Sequence, residues 1–216
     1  MQTWTVKNGE SLDLFGDEIL SRGAQKHIRL RNKQRGNEET HHHPEEKIKQ
    51  LEANKDKIKG DILEIFAGQG NLTGFYEKHG KVTALTRETT GDSYKYVYTL
   101  ASEGKKFNVI DIDGYGYPSG FMDIIFKLMK KDCLLIITFP VIGVQCLNGI
   151  YEQHFVNNWK STRPTTGDVI GATTDYGLRH WYLPKLVDLK KIKPIWRFIF
   201  DCERVKATEF TGTRNR

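Results

Sequence analysis

Apolar and polar positions repeat in two ways along this chain. From Glu45 to Lys59, Ile48, Leu51 and Ile58 are spaced to share one helical face, and Gly60 can end that helix in the left-handed conformation. Beyond it, strands and helices alternate. Asp61–Phe66 is a short apolar strand, and Asn71–His79 places Leu72, Phe75 and Tyr76 on one side of a helix with Gly80 behind it. Lys81–Leu85 predicts a second strand, and Tyr94–Thr99, rich in aromatic and β-branched residues, a third. Phe107–Ile112 predicts a fourth. Pro118 suits the first turn of a helix whose buried stripe would be Phe121, Ile124, Ile125 and Leu128. Cys133–Phe139 is the near-continuous apolar run of a strand buried on both faces. Asn148–Trp159 and Thr173–Leu183 predict helices, the second stopped by Pro184. Ile192–Phe200 and Val205–Thr211 would close the sheet as a hairpin. The alternation predicts an α/β fold, a mostly parallel seven-stranded sheet with helices on both faces and a C-terminal antiparallel hairpin. Residues 1–44 lack the pattern: they predict an irregular extension, with a short helix around Leu12–Arg22 and then a basic arm, ahead of a domain over 45–216.

The composition, 38% hydrophobic and 28% charged, is that of an ordinary globular domain. The longest apolar run, Cys133–Val144, is too short for a bilayer and contains Pro140. The first residues lack the apolar stretch of a signal peptide, so a cytoplasmic location is expected. Cys133, Cys146 and Cys202 are odd in number and widely spaced, which speaks against a disulfide framework or a CxxC metal site. His41, His42 and His43 stand in a polar loop and cannot all face one ion, so no metal is expected.

Charge adds a partner. The net charge is +6, and the excess is clustered. Arg22, Lys26, Arg29, Arg31, Lys33 and Arg35 form one group, with no acidic residue among them. Lys190, Lys191, Lys193, Arg197, Arg204, Lys206, Arg214 and Arg216 form another. A polyanion, RNA or DNA, is the natural partner of the segments 22–35 and 190–216. The lysines of the helix over Glu45–Lys59 read as a solvated face.

Two motifs carry the chemistry. In Asp61-Ile-Leu-Glu-Ile-Phe-Ala-Gly-Gln-Gly-Asn-Leu-Thr73 a strand ends, glycines turn the chain and a helix begins. Gly68 and Gly70 would let the backbone approach a ligand, and the helix start would offer N–H groups to an anionic group. A dinucleotide site would want glycine at position 73, and a P-loop would want a Gly-Lys-Ser/Thr ending; this chain has neither. The string E-I-F-A-G-x-G-N-L-T resembles the first motif of class I S-adenosylmethionine (SAM)-dependent methyltransferases. The resemblance implies SAM bound at Glu64, Phe66, Ala67, Gly68, Gly70, Asn71 and Leu72. It also implies an acidic residue for the ribose after the second strand. That position holds Thr86, and Glu88 stands two residues on.

The second motif is Phe107-Asn-Val-Ile-Asp-Ile-Asp-Gly-Tyr-Gly-Tyr-Pro118. An apolar strand ends in Asp111 and Asp113, where open α/β sheets bind their ligands. A carboxylate there can orient an amine through its N–H, and Tyr115 and Tyr117 could stack on a base. The segment resembles the F-D-x-I-D-x-D-P-[FY]-G-x-P motif of the tRNA N2-guanosine dimethyltransferase family. Leu134–Thr138 followed by Cys146-Leu-Asn-Gly149 resembles that family's L-L-x-V-T-x-T-D and L-x-G. The likeness covers about residues 61–150 and implies catalysis at Asp113, with Asp111 and Tyr115 beside it. Gly114 replaces the family's proline, Val141 replaces its T-x-T-D aspartate, and no room is expected for its large C-terminal domain. The expected function is SAM-dependent methylation of a base amine in nucleic acid, with tRNA-like guanine in RNA favoured. DNA methylation of phage or plasmid type, a small-molecule acceptor, a non-catalytic SAM- or nucleic-acid-binding protein and a nicotinamide-dependent oxidoreductase stay open.

Overall fold

The computed structural model describes residues 3–6, 10–13 and 43–205, apart from 91, 115–116, 141–164 and 193–194. The chain divides into two compact units, Met1–His43 and Pro44–Arg216. In the first, β1 (Thr3–Val6) pairs antiparallel with β2 (Glu10–Asp13), Thr3 opposite Asp13. This antiparallel pair stands where irregular chain was expected, and Leu12 belongs to β2 rather than to a helix. The rest of the expected helix and the basic segment 22–35 lie outside the described residues.

The second unit opens with α1 (Pro44–Ala53) and a 3-10 turn, Lys55–Lys57. Then follow β3 (Gly60–Ile65), α2 (Thr73–Tyr76), β4 (Gly80–Leu85), α3 (Arg87–Thr90) and α4 (Ser93–Ser102). After these come β5 (Phe107–Ile112), α5 (Met122–Lys127) and β6 (Met129–Pro140). The series ends with α6 (Thr166–Arg179), β7 (Tyr182–Ile192) and β8 (Ile195–Arg204). The sheet order is β4-β3-β5-β6-β8-β7, with the first four strands parallel and β8 antiparallel to both its neighbours.

Among the described residues the sheet has six strands rather than seven. The segment expected as a third strand, Tyr94–Thr99, is part of α4. Its buried residues, Val97 and Leu100, are three apart and share a helical face, while Tyr96 and Tyr98 are exposed. Tertiary packing overrides their strand propensity. The helix expected over Thr173–Leu183 runs instead over Thr166–Arg179, opened by a capping box between Thr165 and Asp168. Pro184 lies inside β7, where the sheet edge tolerates a missing N–H. The closing antiparallel pair is therefore 182–192 with 195–204, not 192–200 with 205–211; residues 206–211 lie outside the described set, as does the helix expected over Asn148–Trp159.

Side chains alternate across the sheet with period two. One face carries Leu63, Ile65, Ile110, Ile112, Leu135, Ile137, Phe198 and Phe200 into the larger core. The other carries Ile62, Val109, Leu134, Ile136 and Ile199 against Leu51 of α1 and Phe75 and Tyr76 of α2. On that smaller face the positions toward the carboxyl ends of the parallel strands turn polar: Glu64, Asp111, Thr138 and Arg197 are all buried. Cys133 and Cys202 face each other across β6 and β8 as free, buried thiols, and burial raises the pKa of both. Among the described residues no helix is long and apolar enough to cross a membrane.

The parallel strands start in close contact. Gly60 is opposite Gly80, and a Cβ on Gly80 would stand 2.1 Å from the Gly60 carbonyl oxygen. Since that neighbour is backbone, Gly80→Ala must spread β3 from β4. It is expected to cost about 1–3 kcal/mol, the usual range for overpacking, measured by urea denaturation; a neutral substitution would contradict this packing.

Candidate active site

The turn after β3 sets the site. The Ala67 N–H donates to the Leu85 carbonyl at 3.0 Å, and the Gly70 N–H to the Ala67 carbonyl at 2.8 Å. Gly68 and Gly70 have φ of +57° and +78°, a region that glycine enters without strain. A Cβ on Gly68 would meet nothing closer than the Phe66 carbonyl at 3.9 Å. The loop therefore keeps open space over an exposed backbone. Leu72 points away from it into the core, only 3% exposed, and Asn71 is exposed. The helix that follows is a single turn, Thr73–Tyr76, far shorter than the expected Asn71–His79.

Glu64 is 1% exposed and accepts a hydrogen bond from the Thr73 hydroxyl at 2.6 Å. Burial raises its pKa to about 7, with the Thr73 bond opposing and the charges of Asp111 and Asp113 adding to the rise. An acid whose folded pKa lies above its unfolded 4.5 contributes stability that is full below 4.5 and lost as pH rises through about 7. Glu64→Gln keeps a neutral side chain there at every pH. Wild type should accordingly lose stability relative to Glu64→Gln between pH 5 and about 8, read by thermal or urea unfolding. Parallel curves would show that Glu64 is not perturbed.

Asp111 is opposite Glu64 in the β3–β5 register and fully buried. Its Oδ2 accepts from the Arg197 guanidinium at 2.5 Å and from the Tyr76 hydroxyl at 2.5 Å. Burial raises its pKa while Arg197 opposes the rise. Locked in an internal ion pair, Asp111 has no exposed surface. The expected position of Arg197 is corrected. Expected in the basic surface of 190–216, it is fully buried on β8, bonded also to the Thr138 hydroxyl at 3.0 Å.

Asp113 leaves the strand end in a different state. Its backbone N–H donates to the Ile65 carbonyl at 3.1 Å, which joins its turn to the start of the glycine loop. Its carboxylate, with the side chain 17% exposed, takes both oxygens to the Lys47 ammonium, at 2.6 and 2.7 Å. Burial works to raise its pKa, but the charges of Lys47 and Arg197 and the hydrogen bonds outweigh it and hold the group below the ordinary carboxylate range. Gly114 faces Phe66: a Cβ there would come within 3.0 Å of the ring.

Other expected residues are placed elsewhere. Tyr117 is 1% exposed, its hydroxyl hydrogen-bonded to that of Thr173 at 3.1 Å, so it is core and not a stacking platform. Tyr115 lies outside the described residues. The Thr86 hydroxyl accepts the Thr89 N–H at 3.0 Å and so caps α3, while Glu88 is exposed in the first turn of α3. Lys190 and Lys191, on β7 opposite Arg197 and Trp196, stand at the same end of the sheet as Asp113, and the Lys191 ammonium lies 5.5 Å from the centre of the Trp196 ring. Among the described residues no group of His, Cys, Asp and Glu could hold a metal.

No protein-family model matches the sequence, and no curated protein is similar to it. The fold has solved counterparts. Trm1 from Pyrococcus horikoshii, in complex with S-adenosyl-L-methionine, superposes with a TM-score of 0.54 at 13% identity, over 72% of this chain and 56% of that one. The chain has the fold of the class I SAM-dependent methyltransferases. It spans little more than half the length of that Trm1 chain, 56%. The 1,6-didemethyltoxoflavin-N1-methyltransferase of Burkholderia thailandensis, with bound 1,6-didemethyltoxoflavin and S-adenosylhomocysteine, matches at 12% identity and a TM-score of 0.47, over 95% of this chain and 100% of that one. Within this methyltransferase fold, sequence reasoning missed Lys47 and the buried position of Arg197. The one available signal was that Lys47 sits four residues before Leu51, on the apolar side of α1.

Proposed function

We propose that this chain is a SAM-dependent methyltransferase acting on a base amine of nucleic acid, with tRNA-like guanine in RNA the favoured acceptor. The observation that carries the reading is the Asp113–Ile65 hydrogen bond of 3.1 Å, which joins the turn of Asp113 to the mouth of the glycine loop.

The residues fit the cofactor on charge. The cluster at this end of the sheet holds three carboxylates, the buried Glu64 and Asp111 and the partly exposed Asp113, against two buried cations, Lys47 and Arg197. A cationic group beside Glu64 would balance its ionised form, and SAM offers an ammonium and a sulfonium against one carboxylate. Glu64 would face the ammonium. Phe66, Ala67, Gly68, Gly70 and Asn71 would form the loop over the methionine part. Glu88, with Thr86 behind it, would reach the ribose. Bound SAM supplies a methyl group open to in-line displacement, a reaction governed by the placement of its two partners. Asp113 would accept the N–H of the acceptor amine through its exposed edge and orient the nitrogen lone pair. Asp111 holds Arg197 and touches neither reactant. Lys190 and Lys191 are suited to phosphates at the same end of the sheet. The motif likeness to tRNA N2-guanosine dimethyltransferases and the fold shared with Trm1 favour RNA over DNA.

The test offers purified protein and tritiated SAM to total tRNA, ribosomal RNA and unmethylated duplex DNA, with Asp113→Asn as the control. Label in RNA that disappears in the variant is expected. Label in DNA alone would move the substrate, and SAM binding without label in any polymer would overturn the nucleic-acid reading.

A further inference from the structure

Lys47 is 3% exposed on the inner side of α1, one turn before the buried Gln50 and Leu51. Removing an ammonium from water is costly unless it is paired, and a lysine on a helix of this size has a solvent face available to it. The chain nevertheless places this one against the sheet, with its Nζ on both oxygens of Asp113. Arg197 does not do this work. Its guanidinium is committed to Asp111 at 2.5 Å and Thr138 at 3.0 Å, and stands 4.0 Å from Asp113.

We propose that Lys47 is a positioning residue for Asp113: from α1 it fixes the orientation and the charge of the carboxylate, so that the exposed edge meets the acceptor amine in one geometry. This rests on the methyltransferase reading above. It also divides the labour of the step. A carboxylate gripped by an ammonium is a weak base and a good hydrogen-bond acceptor. Asp113 therefore orients the amine, whose lone pair forms the new N–C bond as the S–C bond breaks and its electron pair returns to sulfur. The cationic nitrogen then releases its proton to water.

The groups that face Asp113 are Lys47 from α1, Arg197 and the Thr138 hydroxyl from β8 and β6, Asp111 from its own strand and Glu64 from β3. Lys47→Met removes the nearest cation and leaves the two other carboxylates. Single-turnover transfer to the RNA substrate should slow about 100-fold at pH 6, the order of loss expected from a misplaced reacting group. The acid limb of its pH profile should move up by about one unit or more, with the KM for SAM little changed. Lys47→Arg should restore most of the rate and the wild-type limb.

A second readout needs no activity. Asp113, with its pKa lowered in the fold, contributes stability that is present above the unfolded carboxylate pKa of about 3.9 and lost as pH falls through its folded value. Wild type compared with Asp113→Asn should show that acid loss. Lys47→Met compared with Lys47→Met/Asp113→Asn should not, and the double variant keeps the comparison possible if the single one folds poorly. Transfer by Lys47→Met with the wild-type rate and pH profile would overturn the positioning role alone. No transfer by wild type to any nucleic acid would overturn the methyltransferase reading and this role together, and the stability comparison would still report the Lys47–Asp113 coupling.

Discussion

Arg197→Met is expected to cost about 3–5 kcal/mol of folding free energy, the usual penalty for removing one partner of a buried ion pair. The guanidinium is fully buried on the smaller face of the sheet, bonded to Asp111 and Thr138, and the backbone carbonyl of Arg197 accepts the Gln50 side-chain amide at 3.2 Å. Methionine fills much of the volume but leaves Asp111 charged among Ile136, Ile199 and Tyr76. Asp111, already raised by burial, would then take up a proton in the fold at a still higher pH. The variant should therefore be least stable at alkaline pH and recover as the solution is acidified, the sign set by a folded pKa above the unfolded one. Adding Asp111→Asn removes the stranded charge and keeps an acceptor for the Tyr76 hydroxyl, so the double variant should regain most of the loss. Urea denaturation at pH 6 and pH 8 measures all of this. A loss below about 1 kcal/mol for the single variant would mean that the pair contributes no more than an exposed one.

Asp113→Asn should lower the transfer rate about 100-fold or more, the order of loss expected when a reacting group is misplaced. The amide keeps the shape of the side chain but turns one acceptor into a donor and removes the charge that Lys47 balances. Glu64 and the glycine loop are untouched, so the KM for SAM should stay within about threefold. Rapid-quench transfer with tritiated SAM, paired with calorimetric SAM binding, separates the two. A rate within tenfold of wild type would remove Asp113 from the reaction.

Much of this was legible in the chain because it is local. β3 and β5 follow from apolar runs between turn residues, and the glycine loop and Asp113 follow from motifs that lie within one strand and its turn. What was misread depends on contacts between distant segments. Tyr94–Thr99 has the residue types of a strand, and only the pairing of Val97 and Leu100 with the core makes it α4. Pro184 is an ordinary helix stop unless the segment is known to be a sheet edge. Lys47 and Arg197 each look like surface charge within their own helix or strand. Their burial is set by Asp113 and Asp111, 66 and 86 residues away, and no local pattern records a partner at that distance.

Phe66 and Gly114 bear on how stiffness is supplied beside Asp113. In the family that the motif resembles, a proline follows the aspartate and limits the backbone there through its own covalent ring. Here that position is glycine, and the ring beside it belongs to Phe66, held at a φ of +65° in the neighbouring loop and packed edge-on to Phe121 at 6.2 Å. The ring that flanks Gly114 thus comes from the glycine loop rather than from its own residue. A substitution at Phe66 would therefore be felt beside both turns at once.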